Sequence, residues 1–247
     1  MSLPEASQID AILLDIEGTT TPIDFVTKVL FPYASRKLES FLRRKIDDPG
    51  IRSCLEAFRE QRAQDVKAGL DVPAWPQDSA ESEIAGATAY GRWLMSRDSK
   101  LAALKTLQGM IWLEGYRMGV LKGEVYRDVP PALVRWRGQG KRIYIYSSGS
   151  ILAQRLLFGS TAFGDLTKYL DGFFDTKVGA KSDTSSYREI TKQAGVAADR
   201  VLFLSDVTKE LAAAMSAGMH VALVVRVIGE PPSSDFEVVP SFESLFP

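Results

Sequence analysis

Ala11-Ile12-Leu13-Leu14-Asp15-Ile16-Glu17-Gly18-Thr19-Thr20 is an apolar run that ends on a carboxylate. Four apolar residues without alternation read as a strand covered on both faces, as in a parallel sheet. In open α/β sheets ligands sit in the crevice outside the carboxyl ends of the strands. Asp15 therefore stands where a reactive carboxylate is useful. Glu17 follows two residues later, Gly18 permits a sharp reversal, and Thr19 and Thr20 add hydroxyl and N–H groups beside the acids. An apolar run followed by Asp is also ordinary in α/β proteins, so the rest of the chain must decide between a reactive tip and a polar turn.

Beyond Thr20 the pattern turns helical for about a hundred residues. Apolar positions recur at helical spacing from Asp24 to Ile46, with Pro32 expected to kink or divide the segment. Further helices are predicted over Ile51 to Leu70, Ser79 to Arg97 and Leu101 to Leu121, with Asp98 or Ser99 as N-cap of the last. Asp71 to Gln77 reads as a loop, and Asp47-Asp48 before Pro49-Gly50 as a turn rather than a catalytic pair. Met95, Met110, Met118 and the tryptophans of this region are assigned to packing.

A β-α rhythm then resumes. Helices are predicted over Pro130 to Gly138, Ile151 to Leu157, Ser182 to Gly195 and Leu211 to Ala217, the last closed by Gly218. Strands are predicted over Arg142 to Tyr146, Phe173 to Asp175, Val201 to Leu204 and Val221 to Val225, and a loop over Glu230 to Asp235. The expected architecture is α/β: a Rossmann-like parallel core from residues 1–20 and 126–247, with an α-helical cap domain inserted as residues 21–125. Right-handed crossovers place the strand ends on one side of the sheet, so Asp15, Ser147, Ser148 and Asp206 can converge.

Bulk properties narrow the function. The 247 residues carry 30 basic and 31 acidic side chains, a net charge of -1, so no basic field favours nucleic acid or an anionic membrane. No run approaches the ~20 apolar residues of a membrane span, and residues 1–9 lack the pattern of a signal peptide. The single cysteine, Cys54, cannot form an internal disulfide and has no local His partner, which fits a reducing, cytoplasmic setting. With one histidine, His220 at a strand start, a zinc site or a Ser-His-Asp triad lacks its parts.

The remaining groups suit phosphoryl transfer. Asp15 could attack phosphorus, splitting one hard displacement into two through an aspartyl-phosphate. Asp15 and Asp206 are hard oxygen donors suited to Mg²⁺. Ser147 and Ser148 stand at a helix start, an anion site by dipole and N–H direction. Lys181 or Lys177 supplies a point charge, and Lys181 is nearer the following helix. Glu17 is then the acid and base for the leaving oxygen and the water. Competing readings are simple: Asp206 as a helix N-cap, Ser147 and Ser148 as caps, and Glu210 as either an acid supporting the metal or a solvated first-turn residue. A receiver-like signalling module also sets an Asp at a strand tip, but is about half as long and lacks a helical insertion.

Asp15-x-Glu17-Gly18-Thr19, Ser147-Ser148-Gly149-Ser150 after a strand, a lysine, and Ser205-Asp206-Val207 after a strand together resemble the four-part pattern of the haloacid dehalogenase-like hydrolases. That superfamily normally has Asp-x-Asp at the first motif; Glu17 in place of the second Asp resembles the enolase-phosphatase, or acireductone synthase, branch. Gly18 to Val26, Leu30 to Tyr33, Ile111-Trp112 with Gly115-Tyr116, Leu121 to Gly123, Leu157 to Gly159 and Phe174 to Lys177 extend the likeness over nearly the whole chain. Ala180, where a His is expected, and Arg127, where a Pro is usual, depart from it.

The resemblance implies a Mg²⁺-dependent phosphoric monoester hydrolase of methionine salvage with one ion per subunit. It implies that 2,3-diketo-5-methylthiopentyl-1-phosphate is enolised and then dephosphorylated to 1,2-dihydroxy-3-keto-5-methylthiopentene. Carried over, Asp15, Glu17 and Asp206 match metal positions, Glu17 through its backbone carbonyl; Asp15, Glu17 and Lys181 match catalytic ones, and Ser147, Ser148 and Lys181 bind substrate. A monomer is expected, with Phe25, Trp112 or Tyr116 shaping a pocket for the methylthio tail. The alternative is a related phosphatase acting on another small phosphorylated metabolite.

Overall fold

The structure, a computed structural model, describes residues 3–76, 78–226 and 234–247. The chain divides into two compact units, Met1–Phe25 with Lys122–Pro247, and Val26–Leu121. The boundaries expected from the sequence, 20/21 and 125/126, lie a few residues away.

The first unit is built on a parallel sheet of β1 (Ala11–Leu14), β2 (Arg142–Tyr146), β3 (Gly172–Phe174), β4 (Val201–Ser205), β5 (His220–Val224) and β6 (Val238–Val239). Their order is β3-β2-β1-β4-β5-β6. β1 is central and wholly buried, which is why it reads as an unbroken apolar run. Alternate residues serve opposite faces. Leu13, Tyr144, Tyr146 and Phe203 join one core cluster with Tyr187 and Ile190 of α7 (Thr184–Ala194) and Leu211 and Ala214 of α8 (Thr208–Ser216). α5 (Val129–Gly138) packs against β2, and α6 (Ile151–Gly159) against β3. The sheet is thus the Rossmann-like α/β core that the rhythm of the sequence implies. β6 has no counterpart among the predicted strands, because two residues offer no periodicity. Residues 230–233 of the expected Glu230 to Asp235 loop lie outside the described residues.

The second unit is helical: α1 (Phe31–Lys45), α2 (Pro49–Lys67), α3 (Ala80–Ser96) and α4 (Ala102–Arg117). Pro32 does divide its segment. It is the second residue of α1, where the winding changes: Phe25–Leu30 before it is a π-helix that runs into α1 through Leu30, itself helical at φ -66° and ψ -52°. Asp48 caps α2, accepting the N–H groups of Gly50 and Ile51. Two expectations fail. The N-cap of α4 is Leu101, without a side-chain bond, while Asp98 takes φ 51° in the turn before it. Met118 is 71% exposed rather than packed, because α4 ends one residue earlier. Among the described residues no helix is long and apolar enough to cross a membrane.

Candidate active site

Strand register sets the site. Leu14 lies opposite Ile145 of β2 and Leu204 of β4, so Asp15 emerges level with Tyr146 and Ser205, one residue before Ser147 and Asp206. Asp15 is 2% exposed. Its Oδ1 accepts the N–H of Ile16 at 2.7 Å and the Lys181 ammonium at 2.5 Å, and its Oδ2 lies 3.2 Å from Ser205 Oγ.

After Asp15 the chain turns tightly. The Ile16 carbonyl accepts N–H groups from Thr19, Thr20 and Thr21, and Gly18 takes φ +73°. A Cβ on Gly18 would run into the Asp206 carboxylate, so glycine here lets the turn lie directly against Asp206. The Glu17 Oε2 accepts a hydrogen bond from the Ser147 hydroxyl at 3.3 Å. Burial, and next the Asp15 charge, push the Glu17 carboxyl above its ordinary range. The same two causes push Asp206 up to about 6. Asp206 Oδ1 is buried without a hydrogen-bond partner. It does not cap α8, whose N-cap is Val207, so that competing reading falls.

Lys181 reaches this acid cluster from the loop before α7. Its Nζ is 2.5 Å from Asp15 Oδ1 and 2.6 Å from Glu210 Oε2, with the side chain 10% exposed. Burial alone would lower the ammonium's pKa; the charges of Asp15 and Glu210 outweigh it and raise it. Lys177 is exposed, its backbone N–H spent on Asp175. Ser147 is buried and Ser148 half-buried ahead of α6. The cap of that helix is Ser150, bonded to the N–H of Ala153, so neither Ser147 nor Ser148 is used as a cap. Asp15, Glu17, Ser147, Lys181 and Asp206 are therefore brought together from segments distant in sequence.

The model of the haloacid dehalogenase-like hydrolases matches residues 9–218. The enolase-phosphatase E1 of Synechococcus elongatus is 46% identical over 91% of this chain and 92% of its own length. The chain belongs to the enolase-phosphatase E1 family of the haloacid dehalogenase-like hydrolases. The Aedes aegypti enolase-phosphatase E1 is 42% identical over 95% of this chain, which spans 22% of that longer protein. The crystal structure of the UTR4 protein of Saccharomyces cerevisiae superposes with a TM-score of 0.77 at 33% identity, covering 96% of this chain and 100% of that one.

Within this family member, the structure settles one open reading of the sequence and adds supporting groups that the sequence does not announce. Glu210 is not solvated: its carboxylate meets Lys181 and lies 3.1 Å from Ser205 Oγ. Burial, then Asp15, push it up to about 7. The Lys181 loop is pinned by Tyr187 Oη on the Lys181 carbonyl at 2.7 Å, Ser186 Oγ on that of Ala180 at 2.7 Å, and Tyr146 Oη on that of Gly179 at 3.0 Å. The only available signal is the place of Ser186 and Tyr187 near the start of the helix predicted over Ser182 to Gly195. His220 bonds the Asp199 carbonyl at 3.1 Å, a structural use.

A divalent cation fits these residues. Asp15 and Glu210 share the Lys181 ammonium, Glu17 and Asp206 have no cation paired with them among the ion pairs of the described residues, and the buried Oδ1 of Asp206 lacks a partner. A cavity of about 420 Å³, walled in part by Gly18, Asp24, Tyr126 and Asp206, gives room beside it. Among the described residues no three His, Cys, Asp or Glu side chains form a ready-made cage. Mg²⁺ needs only one or two carboxylates, the rest of its shell being phosphate and water.

Proposed function

We propose that the cluster around Asp15 is the centre of an enolase-phosphatase that converts 2,3-diketo-5-methylthiopentyl-1-phosphate to the acireductone and phosphate in methionine salvage. The observation that carries this reading is the pairing of two unlike acids in one turn. Asp15 is buried in contact with Lys181, while Glu17, two residues on, has a raised pKa.

Asp15 attacks phosphorus and forms an aspartyl-phosphate. Lys181 draws the dianion in as a point charge and offsets the repulsion between phosphate and Asp15. Ser147, Ser148 and the N-terminus of α6 hold the phosphoryl oxygens. Glu17, once protonated, gives its proton to the leaving oxygen; as a carboxylate it then takes one from the water that releases phosphate. A bound Mg²⁺ would offset phosphoryl charge and polarise the carbonyl. Asp15, Asp206 and the Glu17 backbone carbonyl would hold one such ion. For enolisation, the proton next to that carbonyl needs a base. Lys181 is held charged by two acids, which leaves Glu17 as the better candidate. The single cysteine supports a cytoplasmic enzyme, and we take the monomer as its working form.

The test follows phosphate and ultraviolet absorbance together. Both should rise during turnover of the diketone phosphate, the absorbance reporting the enediol. Glu17→Gln should slow phosphate release by about 10²–10⁴-fold. Phosphate release without an enediol signal would instead indicate another small phosphorylated metabolite.

A further inference from the structure

Arg226 follows the end of β5, at the rim where the acids gather. Its side chain is 9% exposed and paired with Asp128, which is 7% exposed, at 2.5 Å. Two further guanidinium nitrogens, Nε and Nη2, donate to the carbonyl of Thr19 at 3.0 and 2.7 Å. Its Cζ lies 4.4 Å from the ring centroids of both Tyr126 and Phe242. Asp128 stands at the N-terminus of α5, yet its carboxylate does not cap that helix. Its Oδ2 accepts from Arg226, from the Phe242 N–H at 2.6 Å and from Ser241 Oγ at 3.1 Å. Next to Thr19, the Thr20 carbonyl is taken by the Tyr126 N–H at 3.0 Å.

Two successive carbonyls of the turn that carries Glu17 and Gly18 are thus tied down from outside. A guanidinium can do this because it is a rigid planar fork: one side meets a carboxylate while the other grips a single oxygen. A buried ion pair is weak evidence for stability, so its geometry invites a positional explanation. The turn must keep Gly18 against Asp206 and the Glu17 carboxyl beside Ser147.

We infer that Arg226 is a positioning residue, with Asp128 as its anchor: through the Thr19 carbonyl it fixes the Glu17–Gly18–Thr19 turn against Asp206. The inference rests on the catalytic reading of that turn given above. Nothing in the local sequence announces it, since Arg226 and Asp128 are 98 residues apart.

The test compares Arg226→Lys with a control that weakens the same neighbourhood without touching the turn. Trp136→Phe removes the bond from Trp136 Nε1 to the Leu245 carbonyl. Lysine keeps the charge opposite Asp128 but cannot also make the paired bonds to Thr19. In Arg226→Lys, amide hydrogen exchange at Thr19, Thr20 and Thr21 should quicken roughly tenfold as that turn opens locally. kcat should fall roughly 10- to 100-fold while KM moves by less than about threefold. Asp128→Asn should shift both readouts the same way by less. Trp136→Phe should lower Tm and leave both unchanged. Unchanged exchange at residues 19–21 in Arg226→Lys would overturn the inference, as would an equal kcat loss in Trp136→Phe. A parent enzyme without enediol and phosphate production would instead defeat the functional reading; the exchange measurement judges the positioning separately.

Discussion

The ion pairs of the helical unit and the strand-end acids of the α/β unit treat charge in opposite ways. In the helical unit the ion pairs lie toward solvent: Arg43 with Glu39 and Glu81, Arg44 with Glu114, Arg52 with Asp47. Such pairs contribute little to stability, but they cost little to form. In the α/β unit, the side chains of Asp15 and Glu210 are 3% and 14% exposed and share Lys181, with Glu17 and Asp206 close by. Three of these acids have raised pKa values, so the charged form of the cluster opposes folding. The helical unit's charges follow the fold, whereas the strand-end acids are held against their own preference. An arrangement that folding alone would disfavour is what a catalytic centre requires.

The largest test of this contrast is Asp15→Asn. Loss of the proposed nucleophile should cut phosphate release by more than about 10³-fold. Stability should not fall with it. Burial raises Glu17, Asp206 and Glu210 most and the Asp15 charge next; Asn removes the second cause, and Lys181 keeps Glu210 as its partner. A thermal scan of the metal-free protein should show an equal or higher Tm. A drop of several degrees would mean that Asp15 serves the fold, and the contrast between the units would break.

How far the sequence could be read follows from where each signal resides. β1, β2 and β4 were legible because buried parallel strands are short apolar runs, and α2 and α3 because their apolar periodicity is long. Asp15, Ser147 and Asp206 were legible because each ends such a run, and chain order alone brings parallel strand ends together. Lys181 needed its place before a helix and the family pattern to be preferred over Lys177. Glu210 was seen four residues after Asp206, but helical spacing gives a face and not what that face meets. Arg226 with Asp128, and Tyr187 with the Lys181 carbonyl, are tertiary pairings without local pattern. β6 and the Leu101 cap fail for the opposite reason: two strand residues, and a helix start without a side-chain cap, leave no mark.

A smaller effect should appear in the helical unit. Trp112 is buried there, stacked on Phe31 at 6.2 Å, and its Nε1 donates to the Leu30 carbonyl at 2.9 Å. Trp112→Ala should cost about 3–5 kcal/mol by leaving a cavity and an unpaired carbonyl. Of the four tryptophans only Trp136 lies in the α/β unit, so fluorescence in urea reports mainly on the helices. The midpoint should fall, with the far-ultraviolet signal of the sheet lagging behind. A single coincident transition would show that the two units unfold together and narrow the contrast to electrostatics.

The smallest effect concerns magnesium and pH, and it probes the acids directly. Without metal, Asp206 is pushed up to about 6 and Glu210 to about 7, and Glu17 is raised as well. The native state therefore binds more protons than the unfolded chain, whose carboxyls titrate near 4. This stabilising contribution is complete below about pH 4 and is lost as pH climbs through about 6 to 7. A divalent ion needs the carboxylates deprotonated, so its binding releases protons and strengthens over the same window. Magnesium should accordingly raise Tm by a few degrees at about pH 7.5 and by much less at about pH 5.5. Asp206→Asn should flatten both the metal effect and its pH dependence. An equal magnesium shift at the two pH values, or one that survives in Asp206→Asn, would mean that the ion binds elsewhere, and the strained acids would need another explanation.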